Sequence, residues 1–369
     1  MKKINYILLV IICINLITIS IIVFSKRKSD INQNSSHTNP ATTKTNETPS
    51  SMTVPLLQIP QNKVLNNNYY VKQTFNNCGP ASYSMLLSYY RITASQQELG
   101  QILRPFQNPV GDNDDKSVTI EEIEKHAKTY GLHTYHRPNG DIELLKKFIT
   151  YDIPILTRTW LQINEDIGHY RVIKGFNDTT QTIIQDDSYT GANLSFSYSD
   201  FNTMWEKFDY EYLVLVPKEK KEIAEKIIGE NINEKVAWKK TASRNIEKLK
   251  SNPDDIYSRF NLSVAYFYLK EYQKSVDEFE KVENLIPFRT LWYQLEPVEA
   301  YFMLGNYEKV FTITNNIIYR YNRAYSEVYI IRGKIYKIKG EKTLARTEFE
   351  KAVFYNENLS DAKVELNSL

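Results

Sequence analysis

An uncharged apolar run from Tyr6 to Phe24 opens the pattern, with Lys2 and Lys3 before it and Lys26, Arg27 and Lys28 after it. A spanning helix needs about 20 apolar residues. A secretory signal core is shorter, roughly 7–15 residues, and ends in small side chains. This run ends Ile-Ile-Val-Phe, and Cys13 follows Val-Ile-Ile without the small residue expected before a lipidated cysteine. The pattern predicts an uncleaved single-pass anchor over residues 1–28. Basic residues flank both ends, so charge does not orient it. Ser, Thr, Asn and Pro then dominate from Ser29 to Met52. Such composition cannot bury enough apolar surface to fold, which predicts a disordered stalk over 29–62. A stalk suits folded domains held outside a cell membrane.

Periodic patterning begins after the stalk. Ala81, Met85, Leu86 and Tyr89, with Tyr83, Leu87 and Tyr90 beside them, have helical spacing on a well-buried helix. Thr119 and Glu122 make a capping-box pattern for a second helix that ends at Gly131. Asp141–Tyr151 reads as a third helix. Pro154–Thr157, His169–Phe176, Thr182–Gln185 and Tyr212–Val216 are apolar, β-branched or aromatic runs bounded by turn signals, and read as strands. A helical stretch from Asp200 to Phe208 precedes the last. Helices first and strands after predict an α+β domain with an antiparallel sheet over 63–218. Residues 219–251 are charged and helical, either a linker or a degenerate repeat. Over 252–369 a frame recurs: Tyr266, Tyr301 and Tyr336 are 35 residues apart, as are Lys270, Gly305 and Gly340. That period marks helix–turn–helix repeats, and three of them suffice for a continuous core.

Charge changes the picture only by exclusion. The 46 basic and 44 acidic residues leave a net charge of +2, which gives no support for nucleic-acid binding. The two cysteines, Cys13 and Cys78, fall in different phases, so no disulfide between them is expected.

Cys78 carries the candidate chemistry. Gly79 and Pro80 follow it, and Pro is favoured at the first turn of a helix. A thiol at a helix start meets the positive end of the dipole and free N–H groups, which favour the nucleophilic thiolate. A cysteine nucleophile needs a base, and the base an orienting group. Of five histidines, His37 lies in the stalk and His126 in a charged helix that reads as a solvated face. His133 and His136 flank Tyr135 in a strand, where structural roles are expected. His169 follows Gly168 at the entrance of a strand, a rigid mount for an imidazole. If the next strand pairs back as a hairpin, Asp186 or Asp187 returns to the level of His169; on spacing alone either residue, or neither, orients it. Gln73, five residues before Cys78, offers a side-chain amide as an oxyanion donor, a role a lone Gln in a polar loop seldom has.

Val71–Ser82, with Gln73 and Cys78-Gly79-Pro80-Ala81, together with Gly168-His169-Tyr170 and Asp186-Asp187-Ser188-Tyr189, resembles the bacteriocin-processing leader peptidase family. The resemblance implies a papain-like fold over about 63–218. It implies Cys78 as nucleophile, His169 as general base then acid, Asp187 as orienting group and Gln73 as oxyanion donor, with no metal and no cofactor. Ser188 stands where that family usually has Pro. No Walker pattern occurs in the chain, so the resemblance is to a stand-alone relative and leader cleavage is not implied. The C-terminal frame resembles tetratricopeptide repeats, with Ser275, Val310 and Ala345 at the usual small position, which implies a docking surface for a protein partner. The expected function is a membrane-anchored cysteine peptidase acting on a peptide or protein. The alternative is a catalytically degenerate scaffold, and a third option is acyl transfer to an acceptor other than water.

Overall fold

The computed structural model describes residues 56–108 and 118–369. The anchor and nearly all of the stalk lie outside these residues. Among the described residues no helix is long and apolar enough to cross a membrane.

Among the described residues, seven strands build one antiparallel sheet: β1 (Asn62–Val64), β2 (His133–Arg137), β3 (Ile155–Gln162), β4 (Glu165–Asn177), β5 (Thr182–Asp187), β6 (Gly191–Ser197) and β7 (Tyr212–Val216). Their order is β2-β7-β3-β4-β5-β6, with β1 on the far end of β4. Five helices belong to this α+β domain: α1 (Cys78–Ser88), α2 (Gln96–Leu103), α3 (Ile120–Ala127), α4 (Ile142–Thr150) and α5 (Tyr198–Trp205). The predicted capping box is formed, with Thr119 and Glu122 each bonding the other's backbone N–H at the start of α3. Gly131 stops the 3₁₀ turn that follows, at φ 75°. Asp141 caps α4 by accepting from Leu144 N at 2.7 Å. Tyr83, Met85, Leu86 and Leu87 of α1 bury themselves against Leu156, Tyr170, Val172, Leu213 and Leu215 of the sheet. That cluster holds the first residue of α1 against the middle of β4.

Four features differ from the sequence reading. The chain is already in the sheet at Asn62, which pairs with Asn177, because alternation over three residues is too short to register. β3 and β4 extend toward each other through Gln162 and Glu165, so His169 sits inside a long strand, not at its entrance. Polar Asp166 and Glu165 masked that extension. Helix α2 went unread although Ser95 and Glu98 form a full capping box. Strand β6 also went unread, since its exposed edge carries Ser, Asn and Gly.

Helices continue after β7. They are α6 (Lys221–Ile228), α7 (Glu234–Ser251), α8 (Ile256–Tyr268), α9 (Tyr272–Glu280), α10 (Glu296–Met303), α11 (Tyr307–Asn316), α12 (Ser326–Ile338), α13 (Lys342–Tyr355) and α14 (Ser360–Asn367). The three residues spaced by 35 all turn the chain with positive φ: Lys270 at 62°, Gly305 at 74° and Gly340 at 77°. The same turn thus closes the pairs α8/α9, α10/α11 and α12/α13, and at the first of them a lysine accepts a conformation that favours glycine. Ser275, Val310 and Ala345 are fully buried where paired helices meet. Helix α7 joins this array through Trp238, whose ring stacks on Tyr268 at 4.1 Å.

The helical array is bonded to the α+β domain along its length. Asn245 of α7 donates to Asp209 at 2.7 Å. Tyr268 of α8 donates to Glu121 of α3 at 3.2 Å, and Asn358 donates to the Gln101 and Ile102 carbonyls of α2 at 3.0 Å.

Candidate active site

Cys78 is the first residue of α1, and its neighbour Asn77 makes no side-chain cap to that helix. The first N–H groups of a helix have no carbonyl of the helix itself to bond, and the side chain of Asn77 does not take them here. Asn76 turns the chain with φ 52° and aims Asn77 inward. Asn77 is then fixed: it donates to Thr74 Oγ1 at 2.7 Å and accepts from Arg104 Nη1 at 3.0 Å. Gln96 of α2 ties the same loop, accepting from Thr74 N at 2.9 Å and donating to the Lys72 carbonyl at 2.8 Å. The unread helix α2 therefore positions the cysteine loop.

β4 and β5 pair with Arg171 opposite Asp187 and Val172 opposite Asp186. Alternation along a strand puts His169, Arg171 and Asp187 on one face and Tyr170, Val172 and Asp186 on the other. That parity separates the two carboxylates. Asp186 binds the Lys174 ammonium at 2.9 Å. Asp187 Oδ1 lies 2.8 Å from His169 Nε2. The same oxygen accepts from Tyr189 N at 2.8 Å and Thr190 N at 3.0 Å, and Oδ2 accepts from Arg171. His169 and Asp187 are 2% and 0% exposed. Nε2 is engaged by Asp187, and Cys78 lies close enough to act on the same imidazole.

The charges are set by these contacts. Burial opposes an imidazolium at His169, but the hydrogen bonds and charges of Asp187 and Cys78 outweigh it, so His169 holds its proton more tightly than a free histidine. Burial would raise Asp187; the His169 hydrogen bond and charge, with Arg171, instead hold it well below the usual carboxylate range. Arg171 is itself enclosed, donating to Thr159 Oγ1 at 2.9 Å and to the Leu161 carbonyl.

Gln73 lies beside this group. Its backbone N–H donates to the Ser188 carbonyl at 2.8 Å. Its side-chain oxygen accepts from Ser188 Oγ at 2.8 Å. Oε1 is the end that is taken, so the amide N–H end turns away from Ser188. A proline at 188 has no hydroxyl and could not hold the amide in this way.

The remaining histidines go elsewhere. His126 is half-buried between Tyr83 and Tyr130, with its Nδ1 3.2 Å from the Tyr83 hydroxyl, so it is not on a solvated face. His136 is partly buried, 2.6 Å from Glu211 and 3.5 Å from Glu121. Burial opposes its charge, but Glu121 and Glu211 prevail and raise it to about 9. Ligand atoms of Glu121, His136 and Glu211 lie within 4.8 Å of one another. The Arg158 guanidinium, 2.7 Å from Glu211, already supplies the cation there.

Residues 64–213 match the model of the Peptidase_C39 like family. They form a C39-like peptidase domain. Residues 326–358, which span α12 and α13, match a tetratricopeptide repeat, a class of helix pair that mediates protein interaction. The resemblances read from Val71–Ser82 and from the 35-residue frame thus hold. Among solved structures, the chain is similar to one described as a C39-like peptidase from Bacillus anthracis, with 17% identity and a TM-score of 0.35 over 43% of this chain and 99% of that one. It is also similar to the peptidase domain of Streptococcus ComA, a bi-functional ABC transporter involved in a quorum-sensing pathway, with 20% identity and a TM-score of 0.31 over 40% of this chain and 97% of that one. A third is MamA, with 18% identity and a TM-score of 0.33 over 36% of this chain and 77% of that one. No curated protein matches the chain.

Arg171 and Ser188 escaped the sequence reading. Parity with His169 was available for Arg171, and the departure from Pro was noted at Ser188 without its hydrogen-bonding use.

Proposed function

We propose that this chain is a membrane-anchored cysteine peptidase of papain-like fold, in which Cys78 attacks a peptide carbonyl. The observation that carries this reading is the buried His169–Asp187 pair, bonded at 2.8 Å, with Cys78 among the groups that act on the imidazole. The Cys78 thiol gives its proton to His169 as its sulfur adds to the carbonyl carbon, and the oxyanion meets the Cys78 N–H and the Gln73 amide. His169 gives its proton to the leaving amine, which departs and leaves a thioester. A water then loses a proton to His169 and attacks the thioester, releasing a carboxylic acid and the thiol. Asp187 keeps the ring oriented and stabilises the imidazolium. Chemistry of this kind needs no metal or cofactor. The anchor over 1–28 and the stalk over 29–62 tether the enzyme at the outer face of a cell membrane, and the helical region over 252–369 docks a protein. The scaffold alternative rests on Ser188 in place of Pro and on the unknown substrate; the bond from Ser188 to Gln73 gives that serine a use within the peptidase reading.

Product analysis tests the reading. Peptide mixtures are incubated with the protein in ¹⁸O-water, with an iodoacetamide-treated sample as control. New carboxyl termini carrying ¹⁸O are expected only with untreated protein. Adducts to added amines would instead indicate acyl transfer, and an unchanged mixture would favour the scaffold.

Ser188→Ala separates the oxyanion contribution from nucleophile activation. Losing one oxyanion donor outright costs about 10²–10³ in turnover, so loosening Gln73 is expected to cost about tenfold. Alkylation of Cys78, which develops no oxyanion, is expected to keep its wild-type rate.

A further inference from the structure

The segment between α9 and α10 lies on the β3–β4 hairpin that carries His169. Arg158 Nη1 donates to the Tyr293 carbonyl at 3.1 Å. Arg289 pairs with Asp166 of β4 at 3.4 Å. The Tyr293 ring meets Phe208 edge-on, with centroids 6.0 Å apart. Arg158 lies over the same Phe208 ring at 4.7 Å and is anchored on Glu211 at 2.7 Å. Tyr293 is therefore gripped by its backbone and by its ring.

That ring rests on Gly168, the residue directly before His169. A Cβ at position 168 would stand 3.0 Å from two of the Tyr293 ring carbons, closer than side chains pack without displacement. The glycine is what admits the tyrosine. The ring is also within electrostatic reach of the thiol. Burial pushes the Tyr293 phenol up, the Gly168 backbone offsets part of that and the Cys78 charge adds to it, for a value raised to about 12.

We propose that Tyr293 forms a wall of the cleft beside Cys78 and His169, so that the helical region determines by size which groups reach the thiol. The proposal rests on the peptidase reading given above. The repeats are then part of the enzyme's specificity as well as a docking surface. A peptide chain approaching Cys78 over Gly168 meets a fixed aromatic face contributed from outside the C39-like domain.

The test compares two thiol probes on the full chain, iodoacetamide and the bulky N-(1-pyrenyl)maleimide, read by mass spectrometry on the Cys78 peptide. Tyr293→Ala is expected to raise the pyrenyl rate roughly tenfold or more, in line with what a ring-sized change in a pocket does to discrimination, and to leave the iodoacetamide rate nearly unchanged. Tyr293→Phe is expected to behave as wild type with both probes, since the ring is retained. Equal pyrenyl rates in wild type and Tyr293→Ala would overturn the proposal. A wild-type iodoacetamide rate no faster than that of His169→Ala would instead overturn the peptidase reading, so the two failures are distinct. If Tyr293→Ala lowers the melting midpoint, Tyr293→Leu keeps apolar contact with Gly168 while shortening the wall, and the same comparison decides.

Discussion

Cys78→Ser is expected to abolish peptide hydrolysis, with a loss of about 10⁴-fold or more in kcat/KM. The hydroxyl keeps the shape of the site but is a far weaker nucleophile than a thiol paired with His169. The rest of the relay does not depend on sulfur: Asp187 holds His169 at 2.8 Å and is held in turn by Tyr189 N, Thr190 N and Arg171. Cys78 is 7% exposed among apolar neighbours such as Tyr83 and Tyr170. A near-isosteric replacement there is expected to cost about 1 kcal/mol of stability. Turnover and thermal melting measured on the same sample separate chemistry from folding. Hydrolysis retained in a folded Cys78→Ser protein would remove the thiol from the mechanism.

Asp187→Ala is expected to lower activity by freeing the His169 ring and, unlike Cys78→Ser, to carry a large cost in stability as well. It leaves Arg171, fully buried, without its carboxylate, and His169 without its partner. Removing one member of a buried pair typically costs about 3–5 kcal/mol, because the remaining charge stays desolvated. Asp187→Asn keeps an acceptor for Tyr189 N and Thr190 N and is expected to cost less. The pH dependence follows from the direction of the shift. Asp187 is depressed in the folded state, so its contribution is complete above the unfolded carboxylate value near 3.9 and is lost as pH falls through the lower folded value. His169 is raised, so its contribution is complete below about 6.5 and is lost as pH rises through the folded value. Urea unfolding checks the prediction, with a lower midpoint and an unchanged slope expected. A midpoint equal to wild type would mean that Arg171 finds another partner.

Much of this site was legible in the residues. The helix start at Cys78 and the turn signals around the β4–β5 hairpin brought Cys78, His169 and an acidic pair together on paper. The choice between Asp186 and Asp187 needed the register, which the turn at 177–181 sets and spacing alone does not. Lys174 then takes Asp186 on the far face. The repeat frame was visible because its turn positions recur at Lys270, Gly305 and Gly340. Tyr293 was not visible. It lies in the irregular stretch between α9 and α10, carries no periodicity, and reaches Gly168 only through tertiary packing. The network of Glu121, His136, Arg158 and Glu211 was hidden for the same reason: its members lie far apart in the chain, on α3, on β2, on β3 and just before β7, and become partners only when the sheet and α3 bring them together.

The direct test of the account is the rate at which iodoacetamide alkylates Cys78 near pH 7 in wild type and in His169→Ala, followed on the Cys78 peptide by mass spectrometry. A base hydrogen-bonded to the nucleophile is worth about 10²–10⁴-fold, so the histidine variant is expected to react at least about a hundredfold more slowly. Equal rates in the two folded proteins would contradict the activation of Cys78 by His169.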